Sequence, residues 1–232
     1  MRSLENYVEG NVADAPLDAR LTFIRKTYSH LAMAIVAFVA VSAFFYSSGV
    51  GERMLAMISG SQYAWLLVLG GFMLVGWLAS AMAASGGASI SYVGLGVYTV
   101  AEALIFSPVI FLAATSYNGV LTQATGVTLL VFGALTLYVL FTRKDFSFLR
   151  TALFVVGIAA LGLIVAGALF GFNLGLWFSV GMVIFAAGAI LYTTSQVLHK
   201  YRTDQYVAAA LALFAAVALL FWYVLQIFMS RD

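Results

Sequence analysis

Apolar residues fall into seven long runs, at roughly 28–48, 63–83, 89–114, 124–141, 149–171, 175–197 and 207–229. Each is close to the ~20 mostly apolar residues that carry a helix across a bilayer. The breaks between them hold turn chemistry: Ser47-Ser48-Gly49, Ser85-Gly86-Gly87, Tyr117-Asn118-Gly119, Arg143-Lys144-Asp145 and Gly171-Phe172-Asn173. All are short, which predicts antiparallel neighbours in one bundle. The pattern therefore predicts an all-α integral membrane protein. A seven-helix transmembrane domain is expected over 27–229, after a polar tail at 1–26 and before a short end at 230–232. The last run, Val207 to Met229, is almost wholly apolar and reads as a span packed on lipid or on another subunit.

Composition strengthens this reading. Of 232 residues, 64% are apolar and only 9% charged, with a mean hydropathy of +1.05. A soluble domain carries about 25% charged residues, so lipid is expected to cover much of this chain. There is no cysteine, which removes disulfides, thiolate metal sites and thiol nucleophiles. The net charge of +2 and the scattered basic residues give no footprint for nucleic acid.

The basic residues set the expected orientation. With the N-terminus inside, Arg2, Arg20, Arg25, Lys26, Arg143, Lys144, Arg150, Lys200 and Arg202 are cytoplasmic, nine of eleven, and only Arg53 and Arg231 lie outside. Cytoplasmic loops of membrane proteins carry such an excess. Seven spans then put the C-terminus on the outer side of the membrane. Glycines within the runs, among them Gly70, Gly71, Gly94, Gly157, Gly162 and Gly167, suggest places where helix backbones approach closely in lipid.

Three groups of residues are candidates for chemistry. Glu102 lies near the middle of the third run, where an ionisable group is costly and needs a partner. Tyr98 and Thr99, one turn before it, share its helix face. No Lys, Arg or His sits at matching depth, so the expected state is a protonated carboxyl bonded to hydroxyls or to the Leu104 carbonyl. That carbonyl is freed because Pro108 has no N–H to offer it. Glu102 with Tyr98 and Thr99 is either a structural acid or a proton or cation site. The second group, Tyr192 with Thr194, Ser195 and Gln196, is a polar run fit to line a wet vestibule or to end a helix. The third, Arg143-Lys144-Asp145, is a basic turn able to anchor the chain or bind a partner. No phosphate loop, His-Glu-x-x-His motif or carboxylate cluster is present, so neither an enzyme, a metal site nor a cofactor is expected.

Several stretches carry a resemblance to a known family. They are Phe23-Ile24-Arg25-Lys26-Thr27-Tyr28, Tyr98 through Ser107-Pro108, and Tyr138-Val139-Leu140-Phe141-Thr142-Arg143-Lys144-Asp145-Phe146-Ser147-Phe148-Leu149. Gly188-Ala189-Ile190-Leu191-Tyr192 with Thr194-Ser195, and the region of Gln226, add to them. On these the chain resembles the transmembrane Bax inhibitor motif family, and within it the bacterial YccA-like branch. The resemblance implies a seven-span bundle and two functions. Some members look like pH-sensitive calcium leaks gated by two aspartates, one on the sixth span and one on the seventh. The YccA-like branch is associated with the membrane protease FtsH as its modulator.

At the gate positions of that family this chain has Thr193 and Ala216. Two close carboxylates share a proton and so make a pH switch; threonine and alanine do not titrate. Calcium also wants several oxygen ligands, carboxylates among them, so it is not an expected ligand. The reading that follows is a non-enzymatic inner-membrane accessory protein. Its expected partners are lipid and another membrane protein, either a protease or a larger complex in which the chain is a constitutive subunit. A calcium or proton leak through Glu102 is the alternative.

Overall fold

The computed structural model describes residues 11–61, 63–85 and 88–231. Residues 1–10, with Arg2 of the basic set, Gly86 and Gly87 of one expected turn, and Asp232 lie outside the described residues. Eight helices follow a 3-10 turn at Val12–Asp14: α1 (Leu17–Ser47), α2 (Val50–Ser59), α3 (Ala64–Ala84), α4 (Ala88–Ser116), α5 (Val120–Thr142), α6 (Leu149–Phe170), α7 (Gly175–His199) and α8 (Tyr206–Met229). Seven are long and apolar enough to cross a membrane, all but α2. They coincide with the seven runs of the sequence, and the chain is a multi-pass helical membrane protein.

Two elements differ from the sequence reading. α1 starts at Leu17, so residues 17–26 of the expected tail are helix. α2 fills what reads as a loop. It has ten residues, too few to span, and its apolar positions Val50, Met54, Leu55 and Ile58 recur at helical spacing. Gly49 starts it in the left-handed region at φ 74°, which glycine adopts without a Cβ clash. Gly51 lies against α4, where an added Cβ would stand 2.6 Å from the Ser107 carbonyl oxygen.

The helices wrap around α8. Of its most apolar window, 67% is buried inside the bundle, against 6% for α6. Leu213, Phe214, Leu220 and Leu225 are fully or almost fully buried along it. The expectation of a span packed on lipid or on another subunit gives way to one packed within its own bundle. Hydrocarbon and protein interior are equally apolar, so hydropathy does not separate the two. The informative signal is the density of small residues: Ala208, Ala209, Ala210, Ala212, Ala215, Ala216 and Ala218 let neighbouring helices close on α8. α7 and α1 pack along it, α5, α4 and α3 complete the ring, and α6 lies outside, on α7 with a small contact to α3.

The glycine expectations divide. At Gly94 a Cβ would meet the Ala79 carbonyl oxygen at 2.6 Å and the Ala83 nitrogen at 2.9 Å, so α3 and α4 touch backbone to backbone there. Gly70, Gly71 and Gly162 have nothing within 4 Å of that position and mediate no close approach. Gly171 caps the end of α6 and Gly175 begins α7, at φ 73° and 71°.

The N-terminal segment closes the basic end. The Val12 N–H donates to the Tyr201 carbonyl at 2.8 Å, Asn11 bridges Arg202 in antiparallel fashion, and the Val12 side chain is fully buried.

Gly94→Ala should lower the midpoint of thermal unfolding in detergent, because overpacking of this kind costs about 1–3 kcal/mol. Gly96→Ala, two residues along with open space around it, serves as the control and should match or slightly exceed wild type. Equal midpoints for the two variants would contradict a tight α3–α4 crossing at Gly94.

Candidate functional site

Two polar groups stand out from the apolar bundle, one within the spans and one at the basic end. Within the spans, Glu102 is 5% exposed. The Tyr98 hydroxyl, one turn earlier on α4, donates to Glu102 Oε1 at 3.0 Å. Thr99 does not join them: its hydroxyl donates back to the Leu95 carbonyl at 2.8 Å. The Leu104 carbonyl freed by Pro108 is also not a partner of Glu102, since the Ser107 hydroxyl takes it at 2.7 Å. A serine beside a proline satisfies the carbonyl locally, so the acid is left to the tyrosine. Tyr98 and Glu102 line a cavity of about 370 Å³ between α3, α4, α6, α7 and α8. Among the described residues, no three His, Cys, Asp or Glu side chains gather where a metal ion would sit.

At the basic end, the turn between α5 and α6 is tied to the end of α7. Asp145 Oδ1 accepts the Ser147 N–H at 2.8 Å and also the Ser147 hydroxyl, an Asx turn of the kind aspartate favours in loops. Ser195, fully buried on α7, accepts the Phe146 N–H at 2.9 Å and donates to Asp145 Oδ1 at 3.3 Å. Gln196 Nε2 donates to the Ser147 hydroxyl at 3.2 Å, and the His199 ring lies 2.9 Å from the Ser195 carbonyl oxygen through Nδ1. Two candidate groups separated by about fifty residues of sequence thus form one unit. The tie leaves Arg143 and Lys144 exposed at a fixed place. Arg143 ends α5 at φ 52° and ψ 24°, a left-handed conformation that costs a non-glycine residue on the order of 1–3 kcal/mol.

The run Tyr192 to Gln196 divides by helix face. Tyr192, Thr193 and Gln196 line a cavity of about 330 Å³ at the basic end with Lys200, Tyr201, Gln205 and Ala212. Burial pushes the Tyr201 phenol up to about 12, so it stays neutral. Thr194 and Ser195 point elsewhere. The hydroxyls of Thr194, Tyr28 and Thr136 are buried and face one another across α1, α5 and α7. Ala216 is buried with Ala186 and Ile190 in an apolar cluster. Thr193 and Ala216, expected at the gate positions, therefore present one hydroxyl and one methyl.

The sequence reading overlooked the Ser147–Asp145 turn and the role of Ser195 as its clamp. The Asp-x-Ser spacing was the local signal for the turn. Nothing local pointed to the clamp, which needs the tertiary fold.

A seven-span bundle with a buried last helix and a tied basic turn defines a class of polytopic helical membrane protein. Residues 20–232 match the family described as "Inhibitor of apoptosis-promoting Bax1", and the chain belongs to that family. Among relatives, the "Uncharacterized protein PA2604" of Pseudomonas aeruginosa is 36% identical over 119 residues, 51% of this chain and 53% of that protein. The "Modulator of FtsH protease YccA" of Escherichia coli is 35% identical over 116 residues, 49% of this chain and 52% of YccA. The chain thus spans about half the length of these two bacterial relatives. The "Golgi anti-apoptotic protein" of Vaccinia virus is 28% identical over 223 residues, 94% of this chain and 89% of the viral protein.

Hydrogen bonds from the Ser147 side chain and N–H, helped by Ser195 and the nearby His199, hold the Asp145 carboxyl below the usual carboxylate range. A depressed folded-state value means the carboxylate supports the turn fully above its ordinary titration near ~3.9 and loses that support as pH falls through the lower folded value. At neutral pH the same loss is produced by Asp145→Asn. Trypsin cleavage after Arg143 and Lys144 should then become several-fold faster in detergent, as followed by mass spectrometry. Unchanged cleavage would show that the carboxylate does not hold the turn.

Proposed function

We propose that this protein is an inner-membrane accessory protein that binds and modulates a membrane-bound quality-control protease of the FtsH type, with its basic end in the cytoplasm. The observation that carries the reading is the tied turn. Arg143 and Lys144 are presented on a loop fixed to α7 by Ser195 and Gln196, so binding through them does not require the loop to be ordered first. Preorganisation of this kind removes a cost of association. Membership of the family and the likeness over about half its length to a protein named as a modulator of FtsH protease support the same reading.

The organisation that goes with it has residues 1–26 and the 143–148 turn on one cytoplasmic face and the seven-span domain in lipid. An acid-gated calcium path is disfavoured by the chemistry of its positions. Thr193 and Ala216 supply no carboxylate, and among the described residues Glu102 has Tyr98 alone as a hydrogen-bond partner, far short of the six to eight oxygens calcium takes.

Reversing both charges, Arg143→Glu with Lys144→Glu, should cut co-purification of the protease after gentle solubilisation by at least about tenfold, the loss expected for 1.4 kcal/mol or more. Unfolding in detergent should stay as in wild type, because both side chains are exposed. Undiminished co-purification, or none with the wild-type protein, would contradict this function.

A further inference from the structure

The cavity beside Glu102 has a composition that the protease reading does not use. Its walls are aromatic: Trp65 and Phe72 of α3, Phe106 of α4, Phe185 of α7 and Trp222 of α8 all border it. Trp65 and Trp222 stack with ring centroids 5.9 Å apart and planes 15° from parallel, and Phe106 meets Trp222 edge-on at 4.9 Å. Glu102, 95% buried, is the one carboxyl on this wall. Its Oε1 accepts from Tyr98, its Oε2 makes no hydrogen bond among the described residues, and the residue belongs to the lining. The other titratable side chains on the lining are the phenols of Tyr98 and Tyr223, and no basic residue is among them. The volume, about 370 Å³, falls in the range that takes small organic ligands, roughly 300–1,000 Å³.

We propose that this cavity is a binding site for a lipophilic organic monocation, held by Glu102 within the aromatic walls. Three physical arguments converge on that class. A buried carboxylate without a counter-charge is costly, and a cation in the cavity supplies one. Ring faces attract cations, most strongly when both are shielded from water. A small hard cation is the wrong occupant, because the lining offers two phenols and one carboxyl where calcium needs six to eight oxygens. A cation whose charge is spread or wrapped in hydrocarbon loses little hydration on leaving water, so the desolvation penalty that defeats many buried ion pairs is small. α6 forms the outer wall through Gly157, Ala160, Leu161 and Ile164; it packs mainly on α7 and little of it is buried, so entry from the lipid need displace this helix alone. This site is independent of the protease interaction, since it lies within the spans and the turn lies at the basic end.

The test is equilibrium binding of tritiated methyltriphenylphosphonium to the full-length protein in detergent, with triphenylphosphine oxide as competitor. The oxide has nearly the same shape but is neutral and accepts a hydrogen bond. Saturable binding of one cation per chain is expected, with the oxide at least tenfold weaker. Glu102→Gln should weaken the cation at least tenfold, and Gln226→Leu, outside this cavity, should leave it unchanged. The comparison of the two ligands on wild type stands even where Glu102→Gln fails to fold. No saturable binding, an oxide that binds as well as the cation, or a folded Glu102→Gln with undiminished affinity would each overturn the proposal.

Discussion

The architecture depends on α8 being surrounded by protein. A span in lipid gains nothing from hydrophobic burial, because hydrocarbon already solvates its side chains; association is driven by close packing and a few polar contacts. α8 meets that constraint with alanines. Ala209, Ala210 and Ala216 are buried, and their short side chains admit α1, α5 and α7 against one axis. Larger residues, Leu213, Phe214, Leu220 and Leu225, then lock into the gaps. The same axis fixes the ends of the neighbouring helices, and so decides which loops meet.

One consequence is the position of polarity. With an apolar axle, the ties between the α5–α6 turn and α7 form at the basic end, where α7 finishes and the N-terminal segment bonds back to Tyr201. The turn after α5 docks there on Ser195. A second consequence is the isolation of Glu102. Its helix is half buried but faces α8 through Phe214, whose ring stands edge-on to Tyr98 at 6.1 Å, and it finds no base across that interface. It is a buried carboxyl bonded to one phenol beside an aromatic cavity.

Hydropathy alone located the spans, because length and composition are what the bilayer selects. It was silent on their arrangement. The 207–229 run reads as a span on lipid or on another subunit, yet it is the axle; its alanine content is the feature that distinguishes it. α2 was invisible because ten amphipathic residues fall below the length of a span. Of the candidate chemistry, Glu102 was evident from a charge inside an apolar run, and its bond to Tyr98 followed from i, i+4 spacing. Thr99 has the same sequence credentials and turns to its own helix instead. The joining of Asp145 to Ser195 is a tertiary fact, formed by residues fifty positions apart, and no local pattern encodes it.

An alanine axle, a tied basic turn and an acid whose partner is a phenol accord with the proposed scaffold that binds rather than with a valve that opens. Calcium entry into liposomes is the most direct measure of that claim. Liposomes holding a calcium dye and the purified protein should fill no faster than empty liposomes, at pH 7.5 and at pH 6 alike. Protein-dependent calcium entry that changes steeply between those two values would contradict the account.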